Sequence, residues 1–197
     1  PIAATTALRG IRDVGQVQAG HRVLINGAAG GVGSYAVQIA AALGAEVTGV
    51  CSTGSIEMVL SLGASHVIDY TANDFTSDRA RYDVLFDNVG NRPLSHLRNA
   101  VKPAGTLVLN GGGEPGHVFG PIGSMLRIAA VSRFVPQRIS FLPTKQDQAE
   151  LMSVTELIED GKLRSVIDRT YSLADIAEGL SYVEAGHAHG KVVVTFA

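Results

Sequence analysis

Cysteine occurs once in these 197 residues and tryptophan not at all. The single Cys51 excludes an intrachain disulfide and a cluster of thiolate metal ligands. Charge is sparse: 16 Lys and Arg stand against 18 Asp and Glu, a net of −2, which offers no basic surface to nucleic acid or to an anionic membrane. No apolar run approaches the ~20 residues of a membrane span, and no signal peptide is visible. The histidines His21, His66, His96, His117, His187 and His189 are scattered, so solvated loop positions are expected and no metal site. A cytoplasmic protein handling a small-molecule substrate, without nucleic acid or membrane, is the expectation.

Glycine, in contrast, is plentiful at 23 residues, and its placement carries information. Arg22-Val23-Leu24-Ile25 is a short apolar strand signal, and Tyr35 to Gly44 is an alanine-rich helix that stops at a glycine. Between them lies Asn26-Gly27-Ala28-Ala29-Gly30-Gly31-Val32-Gly33-Ser34. Strand, glycine turn and helix form the context in which a glycine pattern points to dinucleotide binding. Gly30 would let the backbone approach a pyrophosphate, Gly33 would let the helix pack closely on the strand, and the helix start, with its unpaired N–H groups and partial positive charge, would suit the anion, so Gly31 and Val32 count with the cofactor-binding residues. Ala28 stands where the commonest fingerprint has its first glycine, so the match is A-x-G-x-x-G. A plain tight turn is the competing reading. A P-loop is excluded, because no Gly-Lys-Ser/Thr occurs.

Further strands are expected at Val47–Cys51, His66–Asp69, Asp83–Asp87 and Thr106–Leu109, with helices between them and Lys102-Pro103-Ala104-Gly105 closing the helix through Leu94, Leu97 and Val101. A glycine-rich loop over 111–123, a short helix over 122–131, a strand at Ile139-Ser140-Phe141-Leu142 and a helix over 145–159 follow. This alternation predicts an α/β fold, a Rossmann doubly wound parallel sheet with helices on both faces. The tail reads differently: Val166 to Tyr171 and Lys191 to Phe196 are strand-like and flank a helix near Leu173 to Val183. They either close the same sheet or belong to a neighbouring domain.

These motifs together resemble the quinone oxidoreductase-like, zinc-free branch of the medium-chain dehydrogenase/reductase superfamily. The resemblance rests on Gly27 to Gly33, Val47 to Thr53, Leu62 to Tyr70, Asp87 to Asn91, Gly105 to Gly113 and Gly190 to Val194. It implies a dinucleotide-binding domain over 1–165 and, over 166–197, the returning segment of a GroES-like substrate domain that would precede this chain; Pro1 to Leu8 reads as the middle of something longer. It also implies that Thr6 lies near the nicotinamide carboxamide, with a helix cap as the alternative, and that Tyr70 covers the adenosine end. Zinc is not expected, since the remaining ligand would fall near Ala3. A homodimer through the edge strand at Ile139 to Leu142 is implied as well.

NADP(H) is expected over NAD(H). The second strand ends in Cys51-Ser52-Thr53-Gly54 with no carboxylate to bind a ribose 2′-hydroxyl, and Ser52 and Thr53 offer donors to a 2′-phosphate. Relatives often carry Arg where Gly54 stands, and a helix cap is the competing reading of Ser52-Thr53. Asn88-Val89-Gly90 and Asn110-Gly111-Gly112 end strands four and five, where nicotinamide and its ribose would meet the backbone; ordinary asparagine-glycine turns are the alternative. The activity implied is NADPH-dependent reduction of a quinone or an activated carbon–carbon double bond, an enoylreductase module being a near relative. No catalytic acid is assigned, and the chain alone is expected to be inactive. The rival class is a non-catalytic NADP(H)-binding fragment or sensor. A methyltransferase would want an acidic residue after the second strand, and a short-chain dehydrogenase would want Tyr-x-x-x-Lys; both are missing.

Overall fold

The computed structural model describes residues 2–77, 79–110, 134–142, 148–186 and 188–196. Six parallel strands form one sheet: β1 (Arg22–Asn26), β2 (Glu46–Cys51), β3 (His66–Asp69), β4 (Tyr82–Asp87), β5 (Val101–Leu109) and β6 (Arg138–Phe141), in the order β3-β2-β1-β4-β5-β6. Helices α1 (Ile2–Leu8), α2 (Gly33–Ala42), α3 (Ile56–Ser61), α4 (Leu94–Ala100) and α5 (Gln148–Glu159) accompany it. The order runs outward from β1 in one direction and, after a crossover, outward from β4 in the other. The neighbouring carboxyl ends of β1 and β4 therefore open a crevice, the place where ligands bind in open α/β sheets. The expected Rossmann architecture is what the chain adopts.

The central strands show why both faces are covered. Side chains alternate across a strand. Val23 and Ile25 of β1, Val84 and Phe86 of β4 and Val108 of β5 enter the core beneath α1, α2 and α5. Their neighbours Leu24, Leu85, Leu107 and Leu109 enter the other core, with Phe75, Leu97 and Val101. Continuous apolar runs in the sequence thus divide residue by residue into two buried layers.

Two differences from the sequence reading are local. Lys102 to Gly105 do not close α4; β5 already starts at Val101, which pairs with Tyr82, and a register shift between Tyr82 and Val84 accommodates Pro103. At the N-terminus α1 runs on into a π-helical turn, Arg9–Val14. There Arg9 pairs with Glu150 of α5, Nε donating at 2.7 Å, and the two are only 6% and 8% exposed. The expected helix over 122–131, the loop over 111–123 and residues 145–147 of the helix predicted over 145–159 lie outside the described residues.

The tail does not close the main sheet. β7 (Ile167–Ser172) and β8 (Lys191–Thr195) form a parallel two-stranded ribbon of their own, joined through α6 (Ile176–Glu184). It is tied to α2: the Gln38 amide donates to the Arg164 carbonyl at 3.0 Å and accepts from its N–H at 2.9 Å, and Tyr35 Oη lies 2.6 Å from Ser165 Oγ.

Breaking a buried ion pair leaves one charge uncompensated, whereas replacing both partners by apolar groups is often neutral. Glu150→Ala should therefore destabilise the chain by about 3 kcal/mol in urea unfolding, and Arg9→Met with Glu150→Leu should recover most of it. Equal midpoints for wild type and Glu150→Ala would contradict this.

Candidate functional site

A cleft of about 750 Å³ lies over the carboxyl ends of β1, β2, β4 and β5. One wall is the turn from β1 into α2. Gly27 opens it with φ +78°, and the Gly30 N–H donates to the Gly27 carbonyl at 3.1 Å. A side chain at Gly33 would drive its Cβ into that carbonyl and into Cα of Ala28. Only glycine lets α2 begin there. Val32, at the helix start, provides no side-chain cap, and the Ser34 N–H turns back to the Gly30 carbonyl at 2.9 Å.

The floor is polar and built from asparagines. Asn26 Nδ2 donates to Asp87 Oδ1 at 2.8 Å and to Asn91 Oδ1 at 3.3 Å. The same Asp87 oxygen accepts the N–H groups of Val89 and Gly90 at 3.1 and 3.2 Å. Asn110 Nδ2 donates to Asn88 Oδ1 at 2.9 Å, and the Asn88 N–H reaches the Asn26 carbonyl at 3.2 Å. Asp87 is 1% exposed, so its negative charge is spent on these donors rather than turned toward a ligand.

At the far end, Ser52, Cys51 and Tyr70 line the cleft. Thr53 points elsewhere: its hydroxyl donates to Asp69 Oδ2 at the end of β3, and Thr71 donates to Oδ1 at 2.7 Å through its hydroxyl. The Thr53 hydrogen bond, seconded by Thr71, holds the Asp69 carboxyl below its usual range, so it is ionised at neutral pH. Burial, with help from the Asp69 charge, pushes the Cys51 thiol up to about 11. The tail closes the remaining side with Gly186, Ala188 and His189, whose Nδ1 lies 2.6 Å from Ser55 Oγ.

A family model described as zinc-binding dehydrogenase matches residues 62–194. The chain belongs to the medium-chain dehydrogenase/reductase superfamily. It is 34% identical over 214 residues to the mitochondrial NAD(P)H oxidoreductase RTN4IP1 of Mus musculus, covering 98% of this chain and 54% of that protein. It is 32% identical to the 2-methylene-furan-3-one reductase of Solanum lycopersicum, over 98% of this chain and 45% of that one. The solved quinone oxidoreductase of Coxiella burnetii superposes with a TM-score of 0.83 at 27% identity, over 100% of this chain and 59% of its own. The chain thus spans about half the length of the curated relatives it matches.

Within this dehydrogenase/reductase frame, Gly30, Gly31, Val32, Gly33, Ser52, Tyr70, Asn88, Val89 and Asn110 all face the cleft. Gly90 stands beside it, held by Asp87. Ala28 does not face it. Its methyl is buried in the core under the turn, 3.0 Å from where a Cβ on Gly49 would stand, which is why an alanine fits this position. Thr6 lies inside α1 rather than at its cap and is not among the residues lining the cleft. Gly111 and Gly112 lie outside the described residues. The cleft-lining residues that sequence reasoning did not select are Asn26, Gly27, Ala29, Val50, Cys51, Asn91, Gly186, Ala188 and His189. Gly27 and Asn26 could have been found, because they sit in the same glycine stretch; the tail residues carry no local signal. Among the described residues no group of three His, Cys, Asp or Glu is placed to hold a metal ion, and no helix is long and apolar enough to cross a membrane.

Thiolate is the reactive form of cysteine. With the Cys51 thiol near 11 and 3% exposed, alkylation of the native chain at pH 8 should run at least about a hundredfold slower than for an ordinary exposed thiol. The rate should climb about tenfold per pH unit until the thiol ionises. Labelling by iodoacetamide at the rate of free cysteine at pH 8 would refute it.

Proposed function

We propose that this chain is the cofactor-binding part of an NAD(P)H-dependent reductase that transfers hydride to a quinone or to an activated carbon–carbon double bond. The observation that carries the reading is the glycine turn from β1 into α2 at the switch point of the sheet, opening on a cleft of about 750 Å³. That volume falls in the range of about 300–1,000 Å³ usual for ligand sites. The uncapped helix start suits a phosphate, and the asparagine floor suits an amide and a ribose. The relatives support the class: the NADPH-dependent alkenal/one oxidoreductase of Arabidopsis thaliana is 32% identical over 98% of this chain.

The nicotinamide supplies the hydride when bound. The protein's task is orientation. Gly27 and Gly33 fix the turn against which the diphosphate would lie, and Asn88, Asn110 and Gly90 hold the strand ends against which the nicotinamide end would rest. No group among the described residues is assigned as proton donor. We read residues 166–197 as the returning strip of a substrate domain. In support, β7, α6 and β8 form a separate ribbon that leaves Ile176, Leu180 and Val183 exposed along one side of α6. We further take the enzyme to be zinc-independent, tested by unchanged turnover after chelation, and to dimerise through β6, the strand that pairs on one side with β5.

NADP(H) is the preferred cofactor in this reading, with modest selectivity. Ser52 faces the cleft and β2 ends without a carboxylate, but Thr53 is engaged by Asp69, which brings a negative charge to the same turn. Titration by nicotinamide fluorescence should give tighter NADPH than NADH binding. Ser52→Ala should weaken NADPH by about fivefold and leave NADH nearly unchanged, while Asp69→Ser should widen the preference for NADPH. For the longer protein, oxidation of NADPH by a quinone or an enone is expected. Tight nucleotide binding without turnover across such acceptors would favour the non-catalytic binding module, and binding of neither nucleotide would overturn the reading.

A further inference from the structure

The polar floor of the cleft ends in two amide groups that keep hydrogen-bonding capacity in reserve. Asn26, at the end of β1, is 3% exposed, and its neighbours fix which way its amide points. A carboxylate only accepts hydrogen bonds, so the Asn26 atom 2.8 Å from Asp87 Oδ1 is the nitrogen. That nitrogen also lies 3.3 Å from the Asn91 side chain, whose facing atom must then be the acceptor, Oδ1. Both Asn26 amide hydrogens are thereby used, and the polarity set by Asp87 passes through Asn26 to Asn91. Two groups are left without a partner among the described residues: Asn26 Oδ1, an acceptor, and Asn91 Nδ2, a donor. Asn26 and Asn91 both line the cleft, and Asn26 Oδ1 is not sealed from solvent.

A nearly buried acceptor without a partner is unfavourable, and a ligand group of matching character would relieve it. A phosphate oxygen only accepts and would be repelled by Asn26 Oδ1. A hydroxyl both donates and accepts, so it can answer both asparagines at once. The pair stands at the carboxyl ends of β1 and β4, where Asn26 is in register with Asp87. A dinucleotide lying in the crevice would cross the sheet at this point. We propose that Asn91, oriented by Asp87 through Asn26, donates to a ribose hydroxyl of the bound dinucleotide, while Asn26 Oδ1 accepts from it. The inference rests on the cofactor reading given above and adds two residues to it. Both riboses of the cofactor offer this chemistry, and fragments of the cofactor separate them.

The test measures, by calorimetry, the affinities of wild type, Asn91→Ala and Asn91→Asp for NADH, ADP, reduced nicotinamide mononucleotide and inorganic pyrophosphate. Asn91→Ala should weaken NADH by about fivefold, the loss of one net hydrogen bond. A matching loss for ADP would put the hydroxyl on the adenosine ribose. A loss for the mononucleotide with ADP unchanged would put it on the nicotinamide ribose. Asn91→Asp still accepts from Asn26 but has no donor, so it should lose at least as much. Asn91 is exposed, so both variants should melt close to the wild-type temperature. Wild-type NADH affinity in either variant would overturn the proposal. So would a loss shared by neither fragment, or an equal loss for pyrophosphate, which carries no ribose. Failure of wild type to bind NADH or NADPH at all would instead sink the cofactor reading itself.

Discussion

The contact between the first residue of α2 and the end of β1 governs this molecule. Gly33 lies so close to the Gly27 carbonyl that any side chain would collide with it. Because the helix can start there, its axis sits low on the sheet, and Tyr35, Ala36, Val37, Ile39 and Ala40 all become buried. Gly49 on β2 continues the theme: it has no side chain because Val59 of α3 and the Ala28 methyl occupy the space. Close packing of helix on sheet and the open cleft above the turn are thus two results of the same glycine stretch.

The second constraint is electrostatic economy at the strand ends. Parallel strands finish with carbonyls and N–H groups that need partners. Asp87 and Asn26 provide them across β1 and β4, and Asn88 and Asn110 do so across β4 and β5. The result is a floor whose shape is set by hydrogen bonds between neighbours. A buried carboxylate in a cleft would ordinarily suggest acid–base chemistry. Here three donors converge on one oxygen, and its role is to hold the Val89–Gly90 turn in place.

What could be read in the sequence was what repeats locally. The apolar runs of β1, β2 and β4 alternate with helices over short distances, so the parallel sheet followed from pattern alone, and the glycine turn announced its own geometry. The part that could not be read depends on pairings distant in sequence. Thr53 looked free to bind a phosphate, but β3 places Asp69 beside it through the Cys51–Asp69 register. Pro103 looked like a helix stop, yet a register irregularity lets β5 begin before it. His189 and Lys191 meet residues more than 130 positions earlier, and no spacing rule foretells that.

The Gln38–Arg164 amide exchange and the turn after α6 have a further consequence for how the chain matures. The six strands and their helices draw on residues that precede the ribbon, whereas one wall of the cleft, at His189, comes from the segment that follows them in sequence. Domains form during synthesis in the order in which they appear. A nucleotide that stabilises the folded state by mass action can therefore do so only once this late segment has docked. Under the proposed function, nucleotide loading would wait on the docking of this ribbon, and a chain without the ribbon would keep its two hydrophobic layers while lacking the ligand-derived protection against unfolding.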